Sequence, residues 1–286
     1  MTENLSNETG TQRIAEDDSE WFETLFQPLG TDHAIPTPYQ DMNEILAGGL
    51  RPGELTVITG RPSMGKTALA LDLARHAALR HDIGSLYVSL DSSPSNVWER
   101  IYSAQSRTLY RKLRHRKLEQ GDQERLRRTR AELEGRPLRI TAEGPDAANS
   151  LKGILWMLQN GKELPRLVVV DHIGLMDGFA EDHGPEAAIR RLKRLALEWD
   201  VAVVAVCPLG RPKDVWGRQP RAEELPDGVW QTADVVIGVH REDYYSSNEA
   251  RAGEADLIFA KNRNGPTATM TVACQLHYSR FADMAE

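Results

Sequence analysis

Residues 55–67 read LTVIT-Gly60-Arg61-Pro62-Ser63-Met64-Gly65-Lys66-Thr67, and residues 68–79 continue as ALALDLARHAAL. An apolar β-branched run, a glycine-bounded turn and a helical pattern follow one another in the order that G-x-x-x-x-G-K-[ST] requires. Glycines at both ends let successive backbone N–H groups point inward at phosphate oxygens, and the helix N-terminus adds partial positive charge. Lys66 then reaches the β- and γ-phosphates of a nucleoside triphosphate, and the Thr67 hydroxyl holds Mg²⁺. A glycine-rich turn without a ligand is the plainer reading, and the strand before it with the helix after it argues against that.

Outward from this loop, short apolar runs alternate with longer amphipathic stretches from Thr37 onward. That is the pattern of an α/β fold, a twisted and mainly parallel sheet with helices on both faces. Strands are expected at 55–59, 85–89, 167–170, 202–207 and 235–239, each a near-continuous apolar run of the kind that is covered on both sides. Two later runs, 255–260 and 268–275, flank Asn264-Gly265-Pro266 and read as a C-terminal antiparallel hairpin. The run LVVVD places Asp171 at the carboxyl end of a buried strand, where ligands of open α/β sheets bind, so Asp171 is the candidate second metal carboxylate. Its alternative role is to cap the following turn.

Composition bounds the partners. A net charge of −7 over 286 residues gives no whole-molecule field that draws in nucleic acid, so any such binding needs a local basic surface. One candidate is 107–139, with twelve Lys or Arg against five Asp or Glu. Without interleaved aromatics it reads first as a solvated pair of helices. Cys207 and Cys274 lie far apart in apolar stretches, which fits buried thiols in a reducing cytoplasm. The chain opens on no charged-then-apolar leader and has no run long enough to span a bilayer, so no membrane is expected. Its eight His show no metal-ligand spacing. Residues 1–19 have the composition of a disordered acidic tail. Trp21, Phe22, Leu25 and Phe26 then recur at helical spacing, an aromatic face that packs either on its own domain or on a neighbouring subunit.

The stretch GGLRPGELTVITGRPSMGKTALAL resembles the nucleotide-binding core of the DnaB-type replicative helicases, a ring-forming RecA-like family. VVVDHIGLM resembles the family's second nucleotide motif. ADVVIGVHREDYY and IFAKNRNGPTATMTVACQLHYSRF resemble its last strands, with AKNRNGPT the most diagnostic. The resemblance covers the chain from about residue 37 to its end and implies an ATPase using ATP and Mg²⁺ as a homo-oligomer, a hexameric ring or filament on single-stranded DNA, with a replication or loading partner. It assigns Lys261 and Arg263 to a basic pair that reaches the phosphates bound by the next protomer, Arg241 to nucleotide binding and Arg100 to an arginine directed at the phosphate site. By residue type alone, Arg100 reads equally as a helix surface residue.

The resemblance also exposes departures. Asp91 stands where the family has the Glu that activates water, and one methylene less withdraws the carboxylate by about 1.5 Å. Pro208 and Gly174 stand where the family carries Gln, and neither offers a side-chain hydrogen bond. Residues 210–230 correspond to the family's DNA-contacting loop, with Arg211, Lys213, Arg218 and Arg221 able to meet a phosphate backbone. Only 36 residues precede the core, too few for the family's N-terminal collar, and the aromatic element resembles its linker helix. The residues therefore imply a motor domain with coupling altered. The alternatives are an ATP-gated assembly or loading factor and, third, a RecA- or KaiC-like ATPase.

Overall fold

In the computed structural model the described residues are 33–141, 164–176, 184–209, 219–221, 224–245 and 251–284. The aromatic element around Trp21 and the cations Arg211, Lys213 and Arg218 lie outside them. After a short helix α1 (Gln40–Ile45), the chain enters β1 (Leu55–Gly60) and helix α2 (Lys66–Arg80). Next come β2 (Ser85–Ser89), α3 (Pro94–Ser106), α4 (Tyr110–Arg114), α5 (Gln120–Leu133) and β3 (Leu138–Thr141). The second half holds β4 (Leu167–Asp171), α6 (Gly184–Trp199), β5 (Ala202–Pro208), α7 (Asp227–Thr232) and β6 (Val235–His240). Three strands close it: β7 (Glu254–Asn262), β8 (Ala268–Gln275) and β9 (Arg280–Ala282).

The strands form one sheet in the order β3-β2-β4-β5-β1-β6-β7-β8-β9. β3 through β6 in that order run parallel, and β7, β8 and β9 add antiparallel. Alternate side chains feed two separate cores. Val169, Val204 and Ile58 join the cluster under α2, whereas Val170, Ala205 and Val57 join the cluster under α6. Burial on both faces is why these strands read as unbroken apolar runs. Helix α2 is buried around most of its circumference, from Ala68 to Ala78, because β9 covers the side turned away from the sheet centre.

All seven expected strands are present, and the hairpin is the expected one. β7 runs two residues further than its apolar run because Lys261 and Asn262 still pair with Val236 and Val235 of β6. β3 and β9 escaped the pattern. β3 is an edge strand with Arg139 exposed, and β9 is three residues long, so neither carries a readable alternation. The basic stretch forms α4 and α5, where only Leu113, Asp122 and Thr129 are buried. Its charges pair locally, Lys112 with Glu119 and Asp122, and Arg114 and Arg116 with Glu99. No described helix is long and apolar enough to cross a membrane.

Candidate active site

The parallel strands end along one edge, and their register brings the motif residues to a common level. Gly60 pairs with Pro208, Ser89 with Asp171, and Asp171 with Val206. Between β1 and α2 the loop turns through conformations that side chains resist. Gly60 has φ 150°, and a Cβ there would stand 2.6 Å from the Val239 carbonyl oxygen. Gly65 has φ 104°, and its Cβ would stand 2.6 Å from the Phe281 ring. Ser63 also takes the left-handed region, at φ 67°. Met64 is fully buried beneath the turn, and Pro62 fixes its shoulder.

The loop's cation is held close to its work. Lys66 Nζ donates to the Arg61 carbonyl oxygen at 2.8 Å, and burial lowers its pKa to about 8 against the opposing pull of Asp171. Arg61 points the other way and forms a buried ion pair with Glu224. Asp171 is 2% exposed, and burial pushes its carboxyl above the usual range, opposed by hydrogen bonds from Tyr87 and Thr67. Tyr87 Oη donates to Asp171 Oδ2 at 2.7 Å. Tyr87 went unnoticed in the sequence, because a tyrosine in an apolar strand carries no sign of which face its hydroxyl meets.

A cleft of about 270 Å³ lies between Ser63, Gly65, Lys66 and Thr67 on one side and Arg100 and Ser279 on the other. Arg100 leans on the Tyr110 ring, 4.9 Å from its centroid, and donates to Ser279 Oγ at 3.2 Å. Its Nε is buried with no hydrogen-bond partner among the described residues. A pocket rich in donors and with an orphaned guanidinium nitrogen suits an anion. Thr67 beside a buried carboxylate suits a divalent cation. The residues therefore fit a triphosphate with its metal.

Asp91 sits two residues beyond β2, exposed, with Ser92 Oγ donating to Oδ1 at 2.9 Å and His172 Nε2 3.9 Å from Oδ2. The two positions that lack Gln adjoin each other. A Cβ on Gly174 would lie 3.0 Å from His172 Nδ1 and 3.8 Å from Pro208 Cγ. Arg241 follows β6 at the same edge and donates to both carboxylate oxygens of Asp243, at 3.2 and 3.1 Å. Cys207 packs below the loop, where burial raises its thiol to about 12.

Lys261 and Arg263 stand elsewhere. β7 runs antiparallel to β6, so Asn262 meets Val235 at the level where β1 begins. The length of β1, roughly 16 Å at 3.3 Å per residue, separates that level from the protomer's own phosphate loop. Lys261 Nζ donates to the carbonyls of Trp230 and Gln231 at 2.8 and 3.2 Å, and Arg263 Nη1 lies 3.0 Å from Asp234 Oδ1.

A family model described as the DnaB-like helicase C terminal domain matches residues 34–283. The chain belongs to that family. Among relatives of this DnaB-like domain, the replicative DNA helicase DnaB of Leifsonia xyli subsp. xyli is 35% identical over 268 residues, 90% of this chain and 57% of that protein. The replicative DNA helicase DnaB of Treponema pallidum is 34% identical over 242 residues, 82% of this chain and 53% of that protein. The chain thus spans about half the length of these curated relatives. A solved structure described as an ATPase domain superposes with a TM-score of 0.82 at 24% identity, covering 93% of this chain and 96% of that one. Another, of a DnaB-like replicative helicase and its interactions with primase, gives 0.84 at 24%, covering 96% and 69%. At that identity the likeness concerns the fold, which is the RecA-like ATPase fold of the DnaB-like domain.

Proposed function

We propose that this chain is the motor domain of an ATP-dependent, helicase-like translocase that works in the cytoplasm on single-stranded DNA, as a hexameric ring or a filament, with ATP hydrolysed between protomers. The observation that carries the reading is the separation of its two cationic groups. Lys66 and Arg100 face the phosphate cleft, whereas Lys261 and Arg263 stand at the opposite edge of the sheet, out of reach of their own loop.

In this reading Gly60 to Thr67 hold the phosphates of ATP, with Arg100 across the cleft and Arg241, just past the end of β6, as a further nucleotide contact. Thr67 and Asp171 would hold Mg²⁺, which when bound would offset phosphate charge. Asp91 orients the attacking water and accepts its proton. Lys261 and Arg263 of the adjacent protomer stabilise charge on the transferring phosphoryl group, a role worth about 10³–10⁵ in rate where such fingers act. Arg211, Lys213, Arg218 and Arg221 meet the nucleic-acid backbone, and a replication or loading partner delivers the motor to it.

A second reading is favoured by Asp91, Pro208 and Gly174 together: an ATP-gated assembly or loading factor with slow hydrolysis and no processive unwinding. Steady-state ATP turnover of the protein with and without single-stranded DNA, beside Lys66→Ala and Arg263→Ala, separates the two. Stimulation by DNA that both variants abolish is expected of the motor. Slow turnover indifferent to DNA would remove the motor and leave the loading factor.

A further inference from the structure

The stretch from Glu224 through α7 to Asp234 touches both Arg61 of the phosphate loop and the Lys261 and Arg263 pair. At its start, Glu224 pairs with Arg61, whose side chain is 5% exposed inside the phosphate loop. Near its end, Lys261 donates to the carbonyls of Trp230 and Gln231, with its ammonium 5.7 Å from the Trp230 ring centroid. At its end, Asp234 takes the Arg263 guanidinium on Oδ1, and its carbonyl accepts the Arg263 N–H at 2.9 Å. Asp234 Oδ2 accepts from Lys193 Nζ at 2.7 Å and from the Leu55 N–H at 2.8 Å, which leaves Oδ1 for Arg263.

The stretch between these anchors is closely packed. Leu225, Val229 and Ala233 are buried in the core under α6. Gly228 lies so close to the Glu186 side chain that a Cβ there would overlap it. Close-packed apolar contacts of this kind transmit displacement rather than absorb it.

We propose that Glu224–Asp234 is a coupling strut, through which phosphate held by one protomer's loop sets the position of the Lys261 and Arg263 pair it offers to the next protomer. The proposal rests on the reading above, in which that pair acts across an interface. Glu224 and Asp234 are positioning residues in it. The input is Arg61: phosphate in the loop draws Lys66 Nζ away from the Arg61 carbonyl, and the guanidinium carries the shift to Glu224. A charged pair suits this task, because a buried ion pair resists separation. The output is the finger pair, where a misplacement of about 1 Å costs on the order of 100-fold in rate.

Hydrogen exchange of the full chain, read on peptides spanning residues 225–236 with and without ATP and Mg²⁺, tests the strut. Binding of a fluorescent ATP analogue and the melting temperature are measured on the same samples. Wild-type exchange in this stretch is expected to slow on nucleotide binding. Glu224→Gln is expected to shrink that change by about fivefold or more and to lower kcat by about tenfold or more, with analogue Kd within about threefold. Glu224→Asp keeps the charge and the fold and is expected to retain part of the response, which covers the case in which the amide variant misfolds. Exchange indifferent to bound nucleotide in the wild type, or a full response in Glu224→Gln, overturns the strut while leaving the site standing. Failure of the analogue to bind at all overturns the phosphate site itself and the strut with it.

Discussion

Asp91→Glu is expected to speed hydrolysis. Asp91 lies two residues beyond Ser89, the β2 residue that pairs with Asp171, and its side chain is 42% exposed, with Ser92 Oγ 2.9 Å from Oδ1 and His172 Nε2 3.9 Å from Oδ2. No described contact presses this carboxylate toward the cleft, and one methylene advances it by about 1.5 Å. A base works directly only within about 2.6–3.2 Å of the proton it takes, so a shortfall of that size leaves at best a relay through an extra water. General-base catalysis is worth roughly 10²–10⁴, and restoring reach should recover about tenfold or more in kcat. KM should stay within about twofold, because the loop residues that hold ground-state phosphates are untouched. Loss of the Ser92 hydrogen bond costs about 1 kcal/mol at an exposed position and should barely move the melting temperature. Phosphate release under saturating ATP, Mg²⁺ and single-stranded DNA reads the effect, with Asp91→Ala as the lower bound. A kcat within about twofold of wild type for both variants would refute Asp91 as the water-orienting base.

Gly65→Ala should weaken binding of a fluorescent ATP analogue by about tenfold or more and lower the melting temperature, since φ 104° and the Phe281 ring at 2.6 Å both oppose a Cβ. Unchanged binding would mean that the loop tolerates a different path. Tyr87→Phe removes the hydroxyl that occupies Asp171 Oδ2, so the Mg²⁺ concentration for half-maximal turnover should change severalfold while ATP binding without metal does not; an identical Mg²⁺ titration would detach Tyr87 from the metal site. Burial and the neighbouring His81 lower the His76 pKa from 6.5 to about 4. The unfolded chain therefore binds the extra proton first, and stability should decline as pH falls from about 6.5 towards 4. Melting temperature against pH should show a shallower acid slope in His76→Gln than in the wild type, and equal slopes would contradict this.

What the sequence made legible follows from locality. The loop 60–67, its strand and its helix are one continuous segment, so spacing and residue type carry both fold and chemistry there. Asp171 is legible for a similar reason, since an acidic residue ending an unbroken apolar strand can only lie at the carboxyl edge. Arg100 is different. Its residue type left two readings, and only the fold shows that it lines the 270 Å³ cleft together with Lys66 and Thr67. The contacts of Glu224, Asp234, Tyr87 and Ser279 were illegible. Each is formed across the sheet or between distant segments, such as Glu224 with Arg61, and no local period encodes such a pair. β3 and β9 were missed because an exposed edge strand and a three-residue strand leave no alternation to read.

The claim on which the account rests is that one protomer's phosphate loop is completed by the next protomer's Arg263. Lys66→Ala and Arg263→Ala, assayed separately, should each lose ATP turnover. Mixed in equal amounts before nucleotide is added, they should regain up to about a quarter of the wild-type rate, because random assembly sets an intact loop against an intact finger at about one interface in four. A mixture as inactive as its components, or an Arg263→Ala protein that hydrolyses ATP at the wild-type rate on its own, would contradict it.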